Sequence, residues 1–114
     1  MKRMYIAVLD EAPDYMVPTL VAHSILNAHR FFTTGLTENR SVYNHWFEES
    51  FRKVVLRVNR KEFNKIKDTV THWEGHENTI CDGKGSCLVV LPVESDAVPN
   101  VLKFAKMWKP KEDK

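Results

Sequence analysis

The first concentration of apolar residues is Tyr5-Ile6-Ala7-Val8-Leu9, rich in strand formers and stopped by Asp10 and Glu11. It predicts a buried first strand. From Val17 to Phe32 the rhythm changes. Val17, Leu20, Val21, Ile25, Ala28 and Phe32 recur at helical steps and fall on one face, which predicts a helix. Pro18 is compatible with it, because the first turn needs no amide donor. Thr33 to Arg40 is polar, contains Gly35 and reads as a loop, and Val42 to Phe51 is a candidate short helix. Val54 to Val58 is β-branched and predicts a second strand. Asn59 and Glu62 then have the spacing of a capping box, opening a helix with the stripe Phe63, Ile66, Val70 and Trp73 and a stop at Gly75.

Asn78 to Asp82 is a candidate third strand, Asp82-Gly83-Lys84-Gly85-Ser86 a turn, and Cys87 to Val93 a fourth strand. Ser95 is the expected cap of a last helix running to about Met107, with Val98, Leu102 and Ala105 inward. The charged tail from Lys109 is expected to fray. The order is β-α-β-α-β-β-α, with the extra short helix after the first long one. Strands alternating with helices predict a three-layer α/β/α domain. Its sheet would have four strands, parallel across the β-α-β crossovers and antiparallel at the final hairpin.

Composition changes this picture little. The chain has 114 residues, 43% hydrophobic and 28% charged, which fits one folded domain over residues 1–114 and excludes a disordered polypeptide. Its apolar runs are too short to cross a membrane, and the N-terminal stretch is too short for a signal-peptide core. The expected location is the cytoplasm, with Cys81 and Cys87 reduced. A net charge of +2 neither demands nor excludes a nucleic-acid partner.

Three stretches resemble the archaeal/eukaryotic-type (second-class) peptidyl-tRNA hydrolases. Pro18-Thr19-Leu20-Val21-Ala22-His23 is similar to the family's G-K-x-A-A-Q at the start of the first helix. Trp46-Phe47-Glu48-Glu49-Ser50-Phe51-Arg52-Lys53-Val54-Val55 resembles its W-x-x-x-G-Q-x-K-V-V. Ser86-Cys87-Leu88-Val89-Val90-Leu91-Pro92 resembles its T-V-L-x-I-G-P. They stand in the family's order and cover most of the chain. The family's lysine is Thr19 here and its glutamine is His23. Its D-A-G-R-T segment can be set against Glu74-Gly75-His76-Glu77-Asn78, which leaves no room for the proposed third strand. It can instead be set loosely against Asp82-Gly83-Lys84-Gly85-Ser86, which keeps that strand and is preferred at this point.

The resemblance implies cleavage of the ester between peptide and tRNA, with tRNA or peptidyl-tRNA as partner and neither metal nor organic cofactor. On that reading His23 or Asp82 handles the water. Ser86, Lys84 and nearby amides support the oxyanion, and Lys53 holds phosphate. The alternative is a non-catalytic member of the fold that binds RNA, a nucleotide or a protein; self-association as a homodimer stays open.

Each candidate has a plainer reading. Thr19, His23, Asn27 and Arg30 share one helix face, either a substrate-binding wall or a solvated surface. Asp10, Glu11 and Asp14 crowd the end of the first strand, where they would repel RNA. The 82–86 turn could touch phosphate or simply join two strands. His72, His76, Cys81 and Cys87 are zinc-ligand types without zinc-site spacing, and the cysteines could also meet across the hairpin. Arg52, Lys53, Arg57, Arg60, Lys61, Lys65 and Lys67, with Trp46 and Phe51, form either an RNA footprint or a solvated helix face.

Overall fold

A computed structural model describes residues 1–111 of the chain. The fold is mixed α/β. Its elements are β1 (Lys2–Leu9), α1 (Val17–Thr34), α2 (Thr37–Glu48), β2 (Arg52–Val58), α3 (Arg60–Thr69), β3 (His72–Gly75), β4 (Cys87–Val90), β5 (Val93–Glu94), α4 (Asn100–Lys103) and β6 (Lys106–Met107). The sheet has six strands, not the expected four, in the order β3-β4-β1-β2-β6, with β5 pairing β1 beyond the end of β4. β1 and β2 run parallel, Tyr5 opposite Val54 and Leu9 opposite Val58. β4 is antiparallel to β1 on the other side, and β3 is antiparallel to β4.

β1 explains the two-sided burial. Its residues from Met4 to Leu9 are all buried. Met4, Ile6 and Val8 enter a core with Leu20, Ala28 and Phe32 of α1 and Tyr43 and Trp46 of α2. Tyr5, Ala7 and Leu9 enter a second core with Phe63 and Ile66 of α3 and Leu102 of α4. A strand covered on both faces reads as an unbroken apolar run, and this one does. The capping box is formed. The Asn59 side chain accepts from the Glu62 amide at 2.8 Å, and the Asn59 amide donates to Glu62 Oε1 at 2.8 Å.

Several expected boundaries move, each for a physical reason. α2 begins at Thr37 instead of Val42, so only Gly35 and Leu36 separate it from α1; the polarity of 37–41 belongs to an exposed helix surface, not a loop. α3 ends at Thr69, where β-branched Val70 turns extended (φ −126°, ψ 154°). The third strand is consequently His72–Gly75, not Asn78–Asp82, and Trp73 faces α1, its ring 5.1 Å from that of Phe31. Pro92, which has no amide to donate, separates β4 from β5. Pro99 delays the last helix, leaving the four residues of α4 in place of one starting at Ser95. The tail expected to fray is held as far as Lys111, whose amide donates to Asp14 Oδ2 at 2.6 Å. Residues 112–114 lie outside the described residues.

Gly75 sets how closely α1 approaches the sheet. A β-carbon built on it would stand 2.0 Å from Ser24 Oγ, 2.7 Å from Ser24 Cβ and 3.2 Å from Ser24 Cα. Both residues are buried. We expect Gly75→Ala to destabilise the protein by about 1–3 kcal/mol through overpacking. Urea unfolding should show Ser24→Gly rescuing it better than Ser24→Ala, which leaves the 2.7 Å clash.

The amino terminus is fastened by charge. Glu94 accepts from the Met1 amino group at 3.1 Å and from Lys2 Nζ at 2.6 Å. Lys2 and the terminal ammonium pull its carboxyl from the ordinary 4.5 down to about 2. A carboxylate whose pKa is depressed on folding contributes stability that is complete above its ordinary value and disappears as pH falls toward its folded one. Denaturant midpoints taken between pH 4.5 and 2 should therefore fall less steeply for Glu94→Gln than for the parent chain.

Candidate functional site

α1 presents Thr19, His23, Asn27 and Arg30 on an exposed surface, as their spacing predicts. One of them is fixed from outside the helix. His23 Nε2 lies 3.1 Å from Glu77 Oε1, across 54 residues of sequence. Glu77 is itself held by Thr79, whose amide and hydroxyl donate to Oε2 at 3.0 and 2.7 Å. The Glu77 side chain is 14% exposed and that of His23 49% exposed, so the carboxylate is the more sheltered of the two and the imidazole faces solvent. Thr79, through its hydroxyl and then its amide, and then His23 hold the Glu77 carboxyl below its ordinary range. The arrangement is a histidine oriented by an ionised carboxylate. It can accept and return a proton at the open surface of α1.

The pairing follows from the short β3. Gly75 ends that strand against Ser24. The chain from His76 onward then leaves the sheet beside the first turns of α1, and Glu77 meets His23 there. This removes the ground for setting the D-A-G-R-T segment at Asp82–Ser86. The third strand, His72–Gly75, takes in the first two residues of Glu74–Asn78 and ends there. Nothing local in the sequence marks Glu77 as the partner of His23.

The other anticipated residues are dispersed. Asp82 is exposed in a left-handed conformation (φ 54°, ψ 30°) within a short 3-10 turn, Cys81–Gly83. Ser86 is fully buried; its amide donates to Gly75 O at 3.0 Å, its carbonyl accepts from Leu9 N at 2.9 Å, and its Oγ has no partner among the described residues. Neither residue is joined to His23 by a hydrogen bond among the described residues. Lys84 is exposed on the same connection. Lys53 stands on the opposite flank of α1, over an aromatic cavity. Thr19, Asn27 and Arg30 share the exposed surface of α1 with His23, and none of them is hydrogen-bonded to Glu77 among the described residues.

The charged groups near the carboxyl end of β1 are largely matched. Glu11 pairs with Arg60 at 2.8 Å and Asp14 with Arg57 at 3.2 Å, which reduces the acidity anticipated for that loop. Lys67 pairs with Glu74 at 3.1 Å. The Glu74 side chain also lies where a β-carbon on Gly85 would stand. Cys81 and Cys87 are free thiols, and burial pushes that of Cys87 up to about 12. Among the described residues no three His, Cys, Asp or Glu side chains gather as metal ligands. No helix among them is long and apolar enough to cross a membrane. No family model matches the chain, and no curated protein does.

Proposed function

We propose that this protein is an acyl-ester hydrolase of the peptidyl-tRNA hydrolase type, acting through His23 oriented by Glu77. The observation that carries the reading is the 3.1 Å His23–Glu77 contact on the exposed first turns of α1. His23 occupies the place of the family's glutamine; in the gap-free setting of D-A-G-R-T against Glu74–Asn78, Glu77 stands where the family has its arginine, so its pairing with His23 is a feature of this chain and not of the resemblance. Further support comes from the order of the main elements, β-α-α-β-α-β-β-α, and from the two cores on opposite faces of β1, which suit a three-layer α/β/α domain.

The chemistry needs a water positioned against the ester carbonyl and a base to take its proton. The imidazole supplies that base, and the proton later returns to the 3′ oxygen of the departing tRNA. Thr19 and Asn27, one turn to either side, offer polar groups to the carbonyl region. Glu77 does not leave its place; it fixes the ring and favours the imidazolium that forms.

Thr19 favours a second reading. Where the family carries a lysine, this chain has a neutral hydroxyl, and the same surface would then bind an RNA without cutting it. The deciding experiment incubates the purified chain with peptidyl-tRNA and follows release of the acyl group. Cleavage that tracks the protein and needs His23 supports the hydrolase. Salt-dependent tRNA binding without turnover establishes the binding module instead.

A further inference from the structure

On the face of the sheet away from α1, a cavity of about 540 Å³ lies between β1, β2 and the segment around α4. Its floor is Tyr5, Leu56 and Leu102, all buried and all part of the second core. Half-buried Val54 and exposed Met107 continue the apolar lining. A concave site of this size with an apolar floor and a few charged groups at its border has the usual form of a small-molecule pocket.

The charges at the border are unmatched. Arg3 lines the cavity and stands opposite Arg52 in the parallel register of β1 and β2. Residues so paired project from the same face, on strands about 4.8 Å apart. Like charges placed directly opposite one another destabilise a sheet. Lys2, the neighbour of Arg3 on the other face, meets Glu94 at 2.6 Å, and Arg57 of β2 meets Asp14 at 3.2 Å. Arg3 and Arg52 have no such partner among the described residues. Lys103 adds a third cation to the border, and Asp96 is the one carboxylate in the lining. Arg3 is also held in place. It is half-buried, and its Nη1 donates to Tyr5 Oη at 3.3 Å. Its Nε and Nη2 have no hydrogen-bond partner among the described residues, and that edge of a guanidinium matches the paired oxygens of a carboxylate or phosphate.

We infer that this cavity binds a small organic acid. Its oxyanion, a carboxylate or a phosphate monoester, lies between Arg3 and Arg52, and its apolar body covers Tyr5, Leu56 and Leu102. The facing arginines select an anion, which relieves their mutual repulsion. The apolar floor selects an acid with a hydrophobic body over a bare inorganic ion. Asp96 acts against the anion, so its removal strengthens binding. The sheet separates the cavity from α1 and His23, so the occupant takes no part in the chemistry proposed there.

The test titrates the isotope-labelled full chain with 2-naphthoate and, separately, with 2-naphthyl phosphate, recording amide shifts by nuclear magnetic resonance. Saturable shifts are expected around Arg3, Val54 and Leu102. The neutral 2-naphthamide should bind at least about ten-fold more weakly than the naphthoate, the loss of one hydrogen bond to a charged group. Inorganic phosphate, with no apolar body to bury, should bind at least about ten-fold more weakly than the naphthyl ester. Arg3→Gln should weaken both acids about ten-fold. Arg52→Gln, at an exposed position, should weaken them about two- to five-fold, and Asp96→Asn should strengthen them by a similar factor. Ala97→Trp keeps every charge and fills the cavity, so it should abolish binding. Lys61→Gln, an exposed cation on α3, should bind as the parent does. Unchanged melting of Arg3→Gln, and the gain in Asp96→Asn, separate lost binding from lost folding. Absence of saturable binding of both acids by the parent overturns the inference. So does equal binding of the amide, equal binding by Arg3→Gln, or shifts confined to another part of the chain. Ester cleavage by a chain that binds neither acid would refute this site and leave His23 in place. Acid binding by a chain that cleaves no ester would do the reverse.

Discussion

Replacing His23 by alanine is expected to slow ester cleavage by about 10²–10⁴-fold, the contribution of one positioned general base. That corresponds to about 3–5 kcal/mol of activation free energy. The loss should appear in kcat, since the proposed role of His23 is to take a proton and not to hold the substrate. Stability should hardly change, because the side chain is exposed and its partner Glu77 keeps both hydrogen bonds from Thr79. Glu77→Gln should have a smaller effect on rate, as the ring keeps a neighbour of the same shape and loses only the charge beside it. The Glu77 carboxyl is held below its ordinary range, so it stays ionised as pH falls through that range. Activity lost in mild acid should therefore not follow protonation of this carboxylate. A rate unaltered in His23→Ala would end the assignment.

Replacing Trp46 by alanine is expected to cost about 3–5 kcal/mol of stability. Trp46 is 2% exposed, sits at the floor of the core shared by α1, α2 and the sheet, and has ring neighbours at 5.3 Å in both Tyr43 and Phe51. Its indole also donates to Arg52 O at 2.8 Å, which ties the end of α2 to the start of β2. Alanine leaves a void and an unanswered carbonyl together. Against a typical total stability of about 5–15 kcal/mol this is a large fraction, and a melting midpoint lower by more than about 10 °C should follow. Trp46→Phe should cost far less, because it keeps most of the volume and loses the indole donor. Similar midpoints for Trp46→Phe and Trp46→Ala would show that the hydrogen bond, not the packing, dominates.

What could be read along the chain was what local spacing encodes. The run from Tyr5 to Leu9 announced a strand covered on both faces. The stripe from Val17 to Phe32 gave α1 and placed His23 on its outer surface. Asn59 and Glu62 gave the start of α3 to the residue. Spacing misled where two structures share it. Val70 and Trp73 continue the stripe of Phe63 and Ile66 at helical steps, yet β-branched Val70 starts an extended segment and Trp73 turns to α1. β5 and β6 have two residues each, too few for any periodicity. Pro99 is what keeps the last helix from beginning at Ser95. Within the candidate site, the ridge of α1 was legible because helix geometry fixes it. The carboxylate facing it was not, because the His23–Glu77 contact joins distant segments and depends on β3 ending at Gly75.

The two-residue β6 has a role out of proportion to its length. It lies along β2, Met107 opposite Leu56 and Lys106 opposite Arg57, and Trp108 N donates to Val55 O at 2.8 Å. Arg57 fastens the strip from the side, stacking 4.8 Å from the Trp108 ring and donating to Lys109 O. Without it, β2 would form a naked border of unpaired main-chain groups, the kind of template on which further strands accrete. A chain shortened at Ala105 would keep most of its core and lose this guard, so copies meeting border to border could grow into fibres. The C-terminal strip is in that sense a terminator of polymerisation.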